Sequence, residues 1–420
     1  MNWLITLGNS VKENKLKALE LALLGLMVLA LPSLEAPKNI FLVFYVVVAL
    51  FRQISNKSTS WEFWDWLFLA ILMSGLLSAI FAGFPHGDQW KGFRGMVAVV
   101  SVGWLLSRST FSSKELFWLF TILVLSTIPP LVWGFFQYYV LHTKRALELH
   151  SVGAVNGSAI YLTMIFGATL GACLSIWSST NKLGRTVLIS LTILFYISLF
   201  IGRSRGAFGI SFLLAAILIL CLIKHYKWKL LGLSILVAPA LLAFVLNAGV
   251  VEKQKINEKN NNVLSNRVEI WNVSLEASRL YPLFGIGLGN WKLITSKDIQ
   301  NSVEKRHKIY NPNDYYFSER PPHFSHSHNV YITALLERGV IGFCVLIGFM
   351  WMWVTQLARS FPLTLNSAQA GYLWAGSLSA WFAIFGIGMT DTTFFHENGT
   401  LACFLLGLHI AYCRSNYAML

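Results

Sequence analysis

Three histidines lie within six residues at the point where a polar stretch meets a long apolar one. The segment HFSHSHNVYITALLERGVIG begins at His323 and also contains His326 and His328. A neutral imidazole can accept a proton near pH 7, so a histidine at this boundary could act as a general base. Histidine runs also bind metals. A solvated loop without chemistry is the third interpretation, and it suits His323 best because Pro321 and Pro322 precede it.

A metal site would need further ligands at defined spacing. Asp314 and Glu319 are the nearby carboxylates, but no cysteine joins the histidines and no second ligand cluster occurs elsewhere in the sequence. The sequence therefore favours a histidine base over a metal site, with His328 as the candidate because it directly adjoins the apolar helix. No metal and no other cofactor is predicted.

Composition indicates which elements must position these residues. The chain of 420 residues is 55% hydrophobic and 12% charged, with a mean hydropathy of +0.57, whereas soluble domains carry about 25% charged residues. Its apolar runs approach the roughly 17–25 residues that a membrane-spanning helix needs, and they lack the short alternating strands of a transmembrane barrel. These features predict an all-α polytopic membrane protein.

The apolar runs predict about 12 transmembrane helices and one large loop. Spans 1–9 fall within residues 1–250, the loop with short helices covers 251–328, and spans 10–12 fall within 329–420. The first run is expected to be a retained span, because Pro37 directly follows Ala36, the would-be cleavage residue. The predicted spans are 19–34, 39–53, 64–84, 94–108, 115–138, 154–177, 186–201, 206–223, 230–250, 330–357, 368–389 and 398–414.

Basic residues predict the orientation and a ligand. With a cytoplasmic N-terminus, the inner short loops carry about twice as many Lys and Arg residues as the outer ones. Both termini would then be cytoplasmic, and the large loop would be extracytoplasmic.

Arginines on the outer side suggest a negatively charged partner such as a phosphate, although headgroup or solvent contact is the alternative for any one of them. The outer arginines are Arg94, Arg203, Arg205, Arg267, Arg279, Arg306, Arg320 and Arg338.

Two arginine positions stand out. The turn GRSRG holds Arg203 and Arg205 between two apolar spans, so both charges must lie at or just under the membrane surface. Arg267 begins a stretch whose i, i+3, i+4 and i+7 spacing predicts one helical face shared by Arg267, Ile270, Trp271 and Ser274. The GIGLGN that follows resembles a glycine-rich phosphate cradle, but no strand precedes it, so a dinucleotide-binding fold is not expected.

Together these residues resemble the O-antigen ligase family. The spacing of His328 and Asn329, nine residues, Gly339, two residues and Gly342 is similar to the family signature. GRSRG, Arg267 and PLFGIGLGN are similar to its arginine turn, loop arginine and glycine-rich loop segment. The signature is shared with O-antigen polymerases and bacterial protein O-oligosaccharyltransferases, so it indicates the chemistry better than the acceptor.

The resemblance implies a lipid-linked-oligosaccharide-dependent glycosyltransferase of the bacterial inner membrane, with its active site facing the periplasm. The donor would be an O-antigen glycan on undecaprenyl pyrophosphate, and the acceptor a sugar hydroxyl of lipid A–core, which completes lipopolysaccharide. The family is held to need no nucleotide and no metal. These two substrates and membrane lipids would be the partners, and no nucleic acid is expected.

The chemistry of a glycosyl pyrophosphate suggests a role for each candidate residue. Arginines would stabilise the negative charge that grows on the leaving group, so Arg205 and Arg267 are expected to hold the pyrophosphate. His328 would remove the proton of the acceptor hydroxyl, and direct attack would invert the anomeric centre. Asp391 would orient His328 or an arginine, or would only cap a helix end. The candidate substrate-binding residues are Arg203, Arg94, His326, Asn329, Arg338 and Asp391.

Other functions remain open at this point. An O-antigen polymerase is the closest alternative, followed by a protein O-oligosaccharyltransferase, and the sequence does not separate the three. A transporter of lipid-linked glycans would also have many spans, but it should carry charges near the membrane centre in matching halves. The predicted span centres here are nearly free of charge.

Overall fold

The structure, a computed structural model, describes residues 2–55, 60–144, 146–149, 152, 155–246, 250–259, 267–306, 308–311 and 326–417. Regular secondary structure in these residues is helical, without strands, which confirms the all-α fold. His323, Arg320, Asp314 and Glu319 lie outside the described residues. The helices are α1 (Asn2–Ala30), α2 (Glu35–Ser55), α3 (Phe63–Ile80), α4 (Gln89–Ser107), α5 (Ser113–Ser126), α6 (Ile128–Tyr139), α7 (Val155–Ser175), α8 (Lys182–Ile201), α9 (Arg205–Leu222), α10 (Tyr226–Leu246), α11 (Val250–Lys259), α12 (Arg267–Ser278), α13 (Ser296–Glu304), α14 (Val330–Thr364), α15 (Ala368–Trp381) and α16 (His396–Tyr417).

Eight stretches in the described part of the chain are long and apolar enough to cross a membrane, which confirms a multi-pass membrane protein. They are α2, α3, α5 together with α6, α7, α8, α9, α14, and α15 extended by short helical turns to Met389. The predicted spans 19–34, 94–108, 230–250 and 398–414 fall on α1, α4, α10 and α16. These four helices are not among the eight, so the number twelve stays a prediction.

Small residues bring α7 and α15 into close contact at the centre of the bundle. A Cβ added to Gly171 would lie 2.1 Å from Ala375, and one added to Gly167 would lie 2.1 Å from Ser379. Small residues are typical of helix interfaces in membranes, where close packing has to replace the hydrophobic effect. This contact fixes the position of α15. From the end of α15, the chain continues through short helical turns to Asp391.

Residues 267–306, here called the loop domain, have an apolar core of their own. Leu336 of α14 belongs to this core, so the loop domain is attached to a membrane helix. The indole N–H of Trp291 donates to Ser274 Oγ over 2.9 Å inside the core. The core residues are Ile270, Val273, Ala277, Ile286, Trp291, Ile294, Ile299, Val303 and Leu336.

The glycine-rich stretch of the loop domain docks onto a break in α14. Gly339 interrupts the helix with φ 64° and ψ −167°, a conformation that favours glycine. A Cβ at Gly339 would lie 2.2 Å from the carbonyl oxygen of Leu283, and one at Gly285 would lie 2.4 Å from the carbonyl carbon of Glu337. Both glycines are therefore needed for two backbones to touch.

Backbone hydrogen bonds complete this junction. The N–H of Gly287 donates to the carbonyl of Glu337 over 3.1 Å, and the N–H of Val340 donates to the carbonyl of Pro282 over 2.8 Å. The structure thus gives GIGLGN a different role from the phosphate cradle that its glycines suggested. The backbone of this stretch binds α14 around Gly339, which lies eleven residues after His328.

Candidate active site

His328 and Asp391 form a hydrogen-bonded pair where α14 begins and the chain leaves α15. His328 Nδ1 lies 3.2 Å from Asp391 Oδ1. Burial raises the pKa of the Asp391 carboxyl, but the hydrogen bond and charge of His328 outweigh it, so the pKa falls below its usual value. An ionised carboxylate only accepts hydrogen bonds, which places the proton on Nδ1 and leaves Nε2 of His328 as the basic atom.

His326 supports the backbone of His328. Its Nδ1 accepts a hydrogen bond from the N–H of His328 over 3.3 Å, and the two ring centroids are 4.1 Å apart. Burial lowers the pKa of His326 to about 4, so the ring is neutral at pH 7. His328 has a φ of 50°, which is unusual for a residue with a side chain, and the contact with His326 holds it in that conformation.

Asn329 joins the two segments that carry the pair. Its Oδ1 caps α14 by accepting from the N–H groups of Tyr331 and Ile332 over 2.9 and 3.0 Å. Its Nδ2 donates to the carbonyl of Met389 over 2.9 Å. Both ends of the amide are thus engaged within the protein, and we interpret Asn329 as positioning His328 beside Asp391.

A chain of hydroxyl groups makes a second link between these segments. Ser327 Oγ lies 2.5 Å from Thr333 Oγ1, which lies 2.9 Å from Thr392 Oγ1. The N–H of Thr392 donates to Asp391 Oδ1 over 2.8 Å. These residues could not be identified from the sequence, because isolated serines and threonines near helix ends carry no distinguishing spacing.

Arg205 begins α9 and is held by the large loop. Its Nη1 donates to Gln254 Oε1 of α11, and Gln254 Nε2 donates in turn to Glu258 Oε1 over 2.6 Å. Ser204 Oγ donates to Asn156 Oδ1 at the start of α7 over 3.2 Å. Gln254 could not be identified from the sequence either, since it lies 49 residues from Arg205 in a polar helix without a motif.

The arginine turn packs against the loop that carries Asp391. A Cβ added to Gly206 would lie 2.8 Å from Thr390 Oγ1. Burial lowers the pKa of the Arg267 guanidinium, the charge of Asp391 raises it, and the charge of Arg205 lowers it. Arg267 is therefore within electrostatic reach of both groups, and the fold gathers two arginines around the His328–Asp391 pair.

Comparisons with known proteins identify the family that this part of the chain resembles. Residues 187–347 match the O-antigen ligase family. This stretch includes both arginines of the turn, Arg267 and His328, and it confirms the family resemblance seen in the sequence. A Rickettsia felis protein named "Putative polysaccharide ligase" is 25% identical over 257 residues, which are 54% of this chain and 56% of that protein. The chain thus spans about half the length of this relative.

Among the other arginines that were predicted to bind substrate, Arg203 is in the turn that carries Arg205. It precedes Arg205 by two residues, with a φ of 54°. Arg338 is buried and donates to Ser74 Oγ of α3 over 3.3 Å, and Gly342 leaves room for its side chain. Arg94 is exposed on α4, and no contact in the described ranges links it to His328.

Three of these groups could also hold a metal ion. One ligand atom each from His326, His328 and Asp391 lies within 4.8 Å of the others, and two imidazoles with a carboxylate suit Zn²⁺. However, the positive charge of Arg267 acts on His326, and the same charge would disfavour a cation held there. We therefore retain the interpretation of His328 as a base, in line with the O-antigen ligase resemblance.

Proposed function

We propose that this chain transfers an O-antigen glycan from undecaprenyl pyrophosphate to a sugar hydroxyl of lipid A–core in the bacterial inner membrane, with its site facing the periplasm. The observation that carries the proposal is the His328–Asp391 pair beside Arg205 and Arg267. The family match and the multi-pass fold support it.

The arginines would act on the leaving group. When the bond from the anomeric carbon to the pyrophosphate oxygen breaks, negative charge grows on that oxygen. Fixed guanidinium groups stabilise such charge more in the transition state than in the ground state. Gln254 and Glu258 would hold Arg205 in place for this purpose, so the protein itself supplies the positive charge.

His328 would act on the nucleophile. Its Nε2 accepts the proton of the acceptor hydroxyl while the hydroxyl oxygen bonds to the anomeric carbon. Asp391 then stabilises the imidazolium without taking the proton, as the carboxylate does in a catalytic triad. A single direct displacement of this kind inverts the anomeric configuration.

The acceptor can be identified by offering purified protein the lipid-linked donor with lipid A–core, with no other acceptor, or with a serine-containing peptide, all in EDTA. We expect glycan on lipid A–core, because the family model matched is that of the ligases. Elongated donor alone would indicate a polymerase, glycosylated peptide a protein transferase, and no covalent product a transporter. Loss of transfer in EDTA that one specific ion restores would instead identify His326, His328 and Asp391 as a metal site.

A further inference from the structure

Helix α12 has a second apolar face outside the core of the loop domain. Ile270, Val273 and Ala277 point into the core and are almost fully buried. On the opposite side, Val268 and Leu275 are 45% and 37% exposed. At about 100° per residue these two side chains lie within about 20° of each other. The helix therefore has two separate apolar faces, and the second is uncovered.

Trp271 lies on the border of this second face. It is partly exposed, and its indole N–H is buried without a hydrogen-bond partner in the described structure, which is uncommon for tryptophan. Val268, Trp271 and Leu275 follow each other at i, i+3 and i+7, and we call them the α12 stripe. A contiguous exposed apolar surface marks contact with a ligand, a partner or a membrane.

The α12 stripe has an arginine at one end, and a contact with a membrane-spanning helix lies beyond its other end. It begins next to Arg267, which is within electrostatic reach of Arg205 and Asp391. Beyond its other end, Phe284 stacks on Phe81 at the end of span α3, with ring centroids 4.8 Å apart. Phe81 and the neighbouring Leu283 are 55% and 59% exposed. Exposed apolar side chains thus occur both at the arginine end of α12 and at the end of a membrane-spanning helix.

We propose that the α12 stripe binds the isoprenoid chain of the donor while Arg267 holds its pyrophosphate. This inference rests on the proposed function and specifies which part of the donor α12 recognises. The arginine at the head of the stripe is the reason for choosing this occupant. A face that only rested on the bilayer would have no need to start at a pyrophosphate site, whereas an anionic lipid needs both features together.

The test compares two donors that carry the same glycan, one on undecaprenyl pyrophosphate and one on a short-chain pyrophosphate that has a single methyl group in place of the isoprenoid. In the double variant Val268→Ser, Leu275→Ser, we expect kcat/KM for the long-chain donor to fall about tenfold, because apolar contact area is lost. The short-chain donor, which cannot fill the stripe, should keep its kcat/KM. Exposed substitutions of this kind have small effects on folding, and the thermal unfolding midpoint checks that.

Ile309→Ser is the matched control, because Ile309 is an apolar residue that is 96% exposed outside α12. It should leave both donors unchanged. An equal loss for the two donors, or no loss for either, would overturn the assignment of the α12 stripe while leaving the proposed function intact. Absence of transfer by the wild-type protein from either donor would instead overturn the proposed function itself.

Discussion

Replacing His328 by alanine is expected to lower the rate of glycan transfer by about 10²- to 10⁴-fold, the usual contribution of a general base. Donor binding should be retained, because the guanidinium groups of Arg205 and Arg267, which the variant keeps, are the groups proposed to hold the pyrophosphate. Single-turnover transfer, measured alongside binding of the lipid-linked donor, separates these two effects.

His323→Ala is the control, since this histidine matches no position of the family signature. It should transfer at close to the wild-type rate. A rate near wild type in His328→Ala, with normal membrane insertion, would remove base catalysis by this histidine from the mechanism.

Arg267→Ala is expected to lower kcat/KM by about 10²- to 10³-fold, as the loss of one group that stabilises a developing oxyanion does. Arg205→Ala should act in the same direction. Lysine at either position should not restore full activity, because an ammonium group cannot make the paired contact that a planar guanidinium makes with phosphate. Steady-state kinetics with varied donor concentration give the measurement.

Arg279→Ala provides a matched control in the same loop domain. Arg279 directly follows α12, is 50% exposed and pairs with Glu276 over 2.7 Å. Glu276 is buried but keeps its second partner, Arg306, so activity should stay within about twofold of wild type. Full activity of Arg267→Lys would mean that this position supplies only a positive charge.

The helical architecture could be predicted because its cause is local. A run of apolar residues in a bilayer must satisfy its own backbone hydrogen bonds, and a helix does so within the run. The start of α14 could also be predicted because its cause is local. Asn329 caps the helix by accepting hydrogen bonds from neighbouring residues. The contact between His328 and Asp391 joins residues 63 positions apart. From the sequence, Asp391 could have either an orienting role or only a helix-capping role.

The glycines show where local reasoning stops. Gly285 and Gly339 were read as parts of a loop motif and a signature, but each is required because the other segment's backbone lies against it. Arg338 carries the same charge as Arg205, yet it is buried against Ser74 while Arg205 lies at the site. Positive charge and a predicted position on the outer side of the membrane made both arginines candidate site residues. Only the packing of α14 on α3 distinguishes them.

The configuration of the new glycosidic bond tests the central claim most directly. His328 as the base of a single displacement requires that the acceptor oxygen enters opposite the departing pyrophosphate. NMR of the product should therefore show the anomeric configuration inverted relative to the donor. A retained configuration would contradict this account, because it requires a covalent glycosyl intermediate on a carboxylate such as Asp391.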